Sequence, residues 1–268
     1  MTKPDQSRDP RLPAIAAPSI SLLLQEMRVI GEWPRFHLQT MKLDQLPRGD
    51  DHAVMVIPGF GASDGTTAPL RRALARLGYR VFGWEQGRNF GMRGPIKNAL
   101  SLRLQKLHAR HGKLSLIGWS IGGVFARELA RHQPDCVRAV YSLGSPINGS
   151  PEANNMNTLF RLANRGRPIA VDVDGFLRRR IAPPVPCVAI YSKRDGIVAW
   201  QCCVEEPAPN TENIEVQGSH VGLVCNPQVL HVLAQKLARL PLPETSVADA
   251  SHLDRKKRAS GRKSGKGV

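Results

Sequence analysis

Short apolar runs alternate with longer amphipathic stretches along most of this chain. The runs Ala53–Ile57, Tyr79–Trp84, Leu114–Ile117, Val137–Leu143, Val185–Tyr191 and Asn213–Val216 predict strands. Helical spacing predicts helices over Ala68–Leu77, Ile96–His111, Ile121–His132 and Pro227–Leu240, the first three stopped by Gly78, Gly112 and Pro134. Apolar strands alternating with helices form a mostly parallel central sheet with helices on both faces. Ligands of such sheets bind outside the carboxyl ends of the strands. The residues just after each strand are therefore where chemistry is expected.

The flanks do not follow the alternation. Residues 1–50 read as a leader (1–17) and a helix capped by Ser19 that runs to about Ile30, ended by Gly31 and Trp33-Pro34. Ile20, Leu23, Leu24, Met27 and Ile30 fall on one face of that helix. Packing on the main domain is the preferred reading of the stripe; contact with lipid, or cover over a pocket, is the alternative. Residues 51–243 form the main domain. Within it, 147–184 read as a lid-like insertion over the active face, polar at first and then basic (Arg178, Arg179, Arg180). Residues 244–268 read as a basic disordered tail. The sequence has no internal repeat.

Composition narrows the class. At 41% hydrophobic and 22% charged residues the chain can build a packed core, and no apolar stretch reaches the roughly 18–20 residues that span a bilayer. The net charge is +16, and seven of the cations lie in Arg255–Val268 without an acid among them. Such a tail is either solvated or drawn to anionic lipid or nucleic acid. Nucleic acid is not expected, because basic and aromatic residues do not interleave. Cys136, Cys187, Cys202, Cys203 and Cys225 are odd in number and lack metal-type spacing, so reduced thiols and a cytoplasmic setting are expected.

Candidate chemistry centres on Gly118-Trp119-Ser120-Ile121-Gly122, followed by Gly123. The pattern sits between a predicted strand and a predicted helix, where a nucleophile elbow belongs. The turn needs small neighbours, which Gly118, Gly122 and Gly123 supply. Serine needs a base. His220, after the last strand run, is the histidine placed for it; His108, His111, His132 and His231 sit in or beside helices, and His37, His52 and His252 lie outside the strand-end series. The imidazole needs an acid. Asp195 follows the run Val185–Tyr191, with Asp172 and Asp174 as fallbacks. An oxyanion needs two donors: the backbone N–H groups of Ile121 and of Phe60, in the loop Pro58-Gly59-Phe60-Gly61-Ala62-Ser63-Asp64, are the candidates. Asp64 or Thr66 is expected to cap the next helix. No Walker loop, G-x-G-x-x-G after a strand, H-E-x-x-H or EF-hand is present, so neither a cofactor nor a metal is expected.

The stretches VMVIPGFGASD, LIGWSIGG, YSLGSP, IYSKRDGIVAW and QGSHVGL resemble the α/β-hydrolase superfamily on its bacterial lipase/esterase-like side, over roughly residues 53–238. The resemblance implies the α/β-hydrolase fold and hydrolysis of a carboxylic ester by Ser120, Asp195 and His220, with Phe60 and Ile121 as oxyanion donors. Two positions depart from the common pattern: Pro58-Gly59 stands where many relatives have His-Gly, and Trp119 where many lipases have His. The expected partner is a small-molecule or lipid ester, with peripheral contact to an anionic membrane through the N-terminal helix and the tail. The same three residues could serve an acyltransferase. A non-catalytic binding protein that uses its basic tail is the reading from another class.

Overall fold

The computed structural model describes residues 15–91, 94–148, 153, 155 and 173–239. The tail, most of the insertion and residues 1–14 lie outside them.

Among the described residues, six strands form one sheet: β1 (Ala53–Ile57), β2 (Arg80–Gly83), β3 (Leu114–Trp119), β4 (Val137–Leu143), β5 (Cys187–Tyr191) and β6 (Thr211–Glu215). Their order is β2-β1-β3-β4-β5-β6, and every neighbouring pair is parallel. The central strands β1, β3 and β4 are buried at every position. That is why they read as continuous apolar runs and not as alternating ones. The edge strand β6 is largely open and polar.

The helices are α1 (Ile20–Leu24), α2 (Val29–Thr40), α3 (Asp64–Arg76), α4 (Gly94–His111), α5 (Ile121–His132), α6 (Val173–Arg180) and α7 (Pro227–Arg239). One face of the sheet packs Ala53, Met55 and Ile57 of β1 against Leu100 and Leu104 of α4 and Phe125 and Leu129 of α5. Val54 and Val56 point the other way, as the period of two requires, and are equally buried. On that side α3 packs against β1 and β2.

The strand and helix runs expected from the pattern are present, most with ends shifted by a few residues. Of the two cap candidates of α3, Thr66 takes part and Asp64 does not. Ser63 is the N-cap and Thr66 closes a capping box with it. Asp64 instead accepts the backbone N–H groups of Trp84 and Glu85, at 3.0 Å each, and so ties down the end of β2.

The N-terminal segment corrects two expectations. The helix does not stop at Gly31: α1 passes through a 3-10 turn (Gln25–Arg28) into α2, which continues past Pro34 to Thr40. The segment packs on the domain, but not by the predicted stripe. Ile20, Leu24, Met27 and Ile30 are between 66% and 76% exposed. The inward face carries Glu26, Glu32 and Phe36 instead.

Candidate active site

β3 ends in Trp119, and α5 begins at Ile121. Ser120 makes the whole turn between them, at φ 54° and ψ −128°. A non-glycine residue in that region carries strain of about 1–3 kcal/mol, which the surroundings must hold. They do so by close packing. A Cβ at Gly118 would collide with the backbone of Gly122 and Gly123, and one at Gly122 would collide with the carbonyl of Ile57. The Ser120 N–H donates to the Leu143 carbonyl at the end of β4 (2.8 Å). Ser120 is left partly exposed, at the positive end of α5.

Asp195 and His220 lie in the loops after β5 and β6. His220 Nδ1 is 2.6 Å from Asp195 Oδ2, and both residues are 3% exposed. Asp195 Oδ1 accepts the N–H groups of Ile197 and Val198, at 2.8 Å each, which fixes the carboxylate's direction. Burial pulls the His220 imidazole toward neutrality, but the charges of Asp195 and Glu26 and the bond to Asp195 outweigh it, so its pKa rises above 6.5. Trp119, beside the serine, donates its indole N–H to the His220 carbonyl (3.0 Å). The two rings lie 5.9 Å apart.

The turn after β4 borders all three residues. Leu143 holds the Ser120 N–H, and the next residue, Gly144, has φ 55°. A Cβ there would lie 3.2 Å from both Asp195 Oδ2 and His220 Nδ1. The carboxylate bonded to His220 is thus that of Asp195; of the fallbacks, Asp172 lies outside the described residues.

Two supports escape a reading of the sequence. Glu26 Oε1 accepts the N–H groups of Gly196 (2.8 Å) and His220 (2.9 Å), and its Oε2 accepts that of Val221 (3.0 Å). One carboxylate from the N-terminal segment therefore joins the Asp195 loop to the His220 loop. Glu32 accepts the N–H and hydroxyl of Ser219, at 2.8 and 2.5 Å. The second support is Asn89, which is fully buried. Its side chain donates to the Pro58 carbonyl (2.7 Å), its carbonyl accepts the Gly61 N–H (2.7 Å), and its N–H donates to Ala62 (2.8 Å). This clamp sets the loop that carries Phe60. A Cβ on Gly59 of that loop would lie 3.1 Å from the Ser120 Cβ, so the loop borders the serine.

The sequence matches no protein-family model and no curated protein. Solved structures do resemble it. One of the metagenome-derived lipolytic enzymes LipS and LipT aligns with a TM-score of 0.55 and 16% identity, over 73% of this chain and 95% of its own. A monoacylglycerol lipase of Paleococcus ferrophilus gives 0.54 and 17%, over 73% and 97%. The Pyrococcus furiosus esterase Pf2001 gives 0.53 and 15%, over 71% and 83%. The chain has the α/β-hydrolase fold.

Ser120, Asp195 and His220 all follow the carboxyl ends of parallel strands, β3, β5 and β6, where ligands of such sheets bind. This molecule also holds a second serine–histidine–aspartate series, at the other end of the sheet. Ser115 Oγ lies 3.0 Å from His52 Nε2, and His52 Nδ1 contacts Asp50. Ser115 is fully buried and His52 9% exposed, so a substrate does not reach them and the series is structural. The cysteines offer no rival nucleophile. Burial pushes the thiols of Cys187, Cys202 and Cys225 up to about 12. Among the described residues no three metal-ligating side chains gather.

Proposed function

We propose that this protein is a serine hydrolase acting on carboxylic esters through Ser120, His220 and Asp195. The observation that carries the reading is the buried 2.6 Å contact between His220 and Asp195, beside a serine held at a positive φ on a strand-to-helix turn. The lipolytic and esterase names of the similar structures support it.

In the proposed mechanism His220 Nε2 takes the Ser120 proton as Oγ attacks the ester carbonyl. Asp195 fixes the tautomer by accepting the Nδ1 proton and stabilises the imidazolium that forms. The backbone N–H groups of Phe60 and Ile121 receive the oxyanion. Collapse of the tetrahedral intermediate expels the alcohol, which takes the proton from His220, and leaves an acyl-Ser120. Water then gives its proton to His220 and attacks the acyl carbon; the acid departs, and the proton returns to Ser120.

Turnover of p-nitrophenyl butyrate tests the reading. Ser120→Ala should lower kcat by at least about 1000-fold in folded protein. A fluorophosphonate should label the unsubstituted chain on Ser120. Near-normal turnover by the variant would refute the proposal.

A further inference from the structure

Among the described residues, eight of the twelve exposed large hydrophobic side chains lie between Ile20 and Met41. Single exposed hydrophobics are ordinary on a surface, whereas a concentration of them marks an interaction face. Ile20, Leu24, Met27 and Ile30 are 66–76% exposed, and Trp33 is 58% exposed. Each stands outward on a segment whose other side is bonded to the domain.

The charges of the same segment are sorted. Between Ile15 and Lys42 the only acids are Glu26 and Glu32, and both are buried against the loops of residues 196 and 219–221. The cations are Arg28, Arg35 and Lys42; none is buried, and the last two are exposed. To its surroundings the segment therefore offers apolar side chains, one tryptophan and positive charge only. Those are the attributes of a helix that lies in a membrane interface, its cations at the phosphates and its indole at headgroup depth. A second copy is a poor occupant, because the same three cations on each chain would face one another. The chain as a whole adds to the attraction with its charge of +16.

We propose that residues 20–42 dock on an anionic lipid surface, with the Ile20–Ile30 face sunk into the headgroup layer and Arg28, Arg35 and Lys42 bound to lipid phosphates. The buried carboxylates on the opposite side keep the segment attached to the domain while it is docked. This assignment does not depend on the hydrolase reading.

Sedimentation of the full chain with vesicles tests it. Phosphatidylcholine vesicles are compared with phosphatidylcholine–phosphatidylglycerol vesicles. Binding to the anionic vesicles should exceed binding to the neutral ones. Leu24→Ser/Ile30→Ser should cut the anionic partition by at least about tenfold, and Arg35→Glu/Lys42→Glu by about fivefold or more, with unchanged unfolding midpoints. In the unsubstituted chain the vesicles should shift tryptophan emission to the blue, and Trp33→Phe should remove that shift. The proposal is overturned if the chain stays in the supernatant, binds both vesicles equally, or sediments as well with the apolar substitutions as without them. It is also overturned if size exclusion shows a dimer that those substitutions dissolve, which would assign the face to a second copy.

Discussion

Glu26 shows how much one side chain can organise. Its two oxygens accept three backbone N–H groups from two loops that it meets 170 to 195 positions along the chain. Glutamine there would present an amide N–H₂ to at least one of these donors. Glu26→Gln is expected to destabilise the fold by about 1–3 kcal/mol, read from urea unfolding. It should also reach the chemistry. His220 must be neutral to accept the serine proton, so ester turnover should fall as pH drops through its pKa. Since Asp195 and Glu26 hold that pKa above 6.5 against the pull of burial, the acid limb of kcat/KM should have its midpoint above pH 6.5. Glu26→Gln removes one of the two raising charges and should move that midpoint to lower pH. A merely structural role would leave the midpoint in place. Nothing in the sequence around Glu26 announces any of this, because its partners are backbone groups with no residue-type signature. The strand-end positions of Ser120 and Asp195 were legible because each follows an apolar run, whereas His220 follows the polar edge strand β6 and was singled out by its place after the last run of the series. Asn89 was not, since it works through the backbone of a loop 27 to 31 residues away.

At the level of elements the strands were the easiest to read. A strand buried on both faces must be apolar throughout, as β1, β3 and β4 are. The elbow was legible for a related reason: α5 starts so close to its surroundings that a Cβ would collide at Gly118 with α5, at Gly122 with the end of β1 and at Gly123 with Ser145. Gly122→Ala should test that packing. The added methyl would press on the Ile57 carbonyl, backbone that cannot swing aside, and the unfolding free energy should drop by about 1–3 kcal/mol or more. The N-terminal segment was misread because it has two candidate stripes. One is the outward apolar series; the other passes through Leu22, Glu26, Val29, Glu32 and Phe36. Hydrophobic periodicity favours the first. The second is the one that packs, since it brings two carboxylates to backbone N–H groups that need acceptors.

Across the molecule, one buried ion pair ties distant parts of the chain together. Arg127 of α5 contacts Glu205, both 2% exposed or less, and donates to the carbonyls of Arg179 (2.7 Å) and Ile181 (3.2 Å) just where α6 ends. Burial raises the Glu205 carboxyl in spite of Arg127, so the pair fixes position more than it adds stability. Arg127→Ala would leave Glu205 buried and unpaired, and should cost about 3–5 kcal/mol in urea unfolding. Arg127→Ala/Glu205→Ala should recover part of that loss. The Ser115–His52–Asp50 series carries a separate consequence. A parallel sheet has two electrically unlike ends. Ser120 precedes the positive pole of a helix, whereas Ser115 comes just after α4, whose negative pole closes that side of the chain. An alkoxide born at Ser115 would lack the helix N-terminus that Ser120 faces, and its hydroxyl is fully buried. A serine-directed organophosphate should therefore modify the protein to a stoichiometry of about one, and peptide mapping should find Ser115 unmodified.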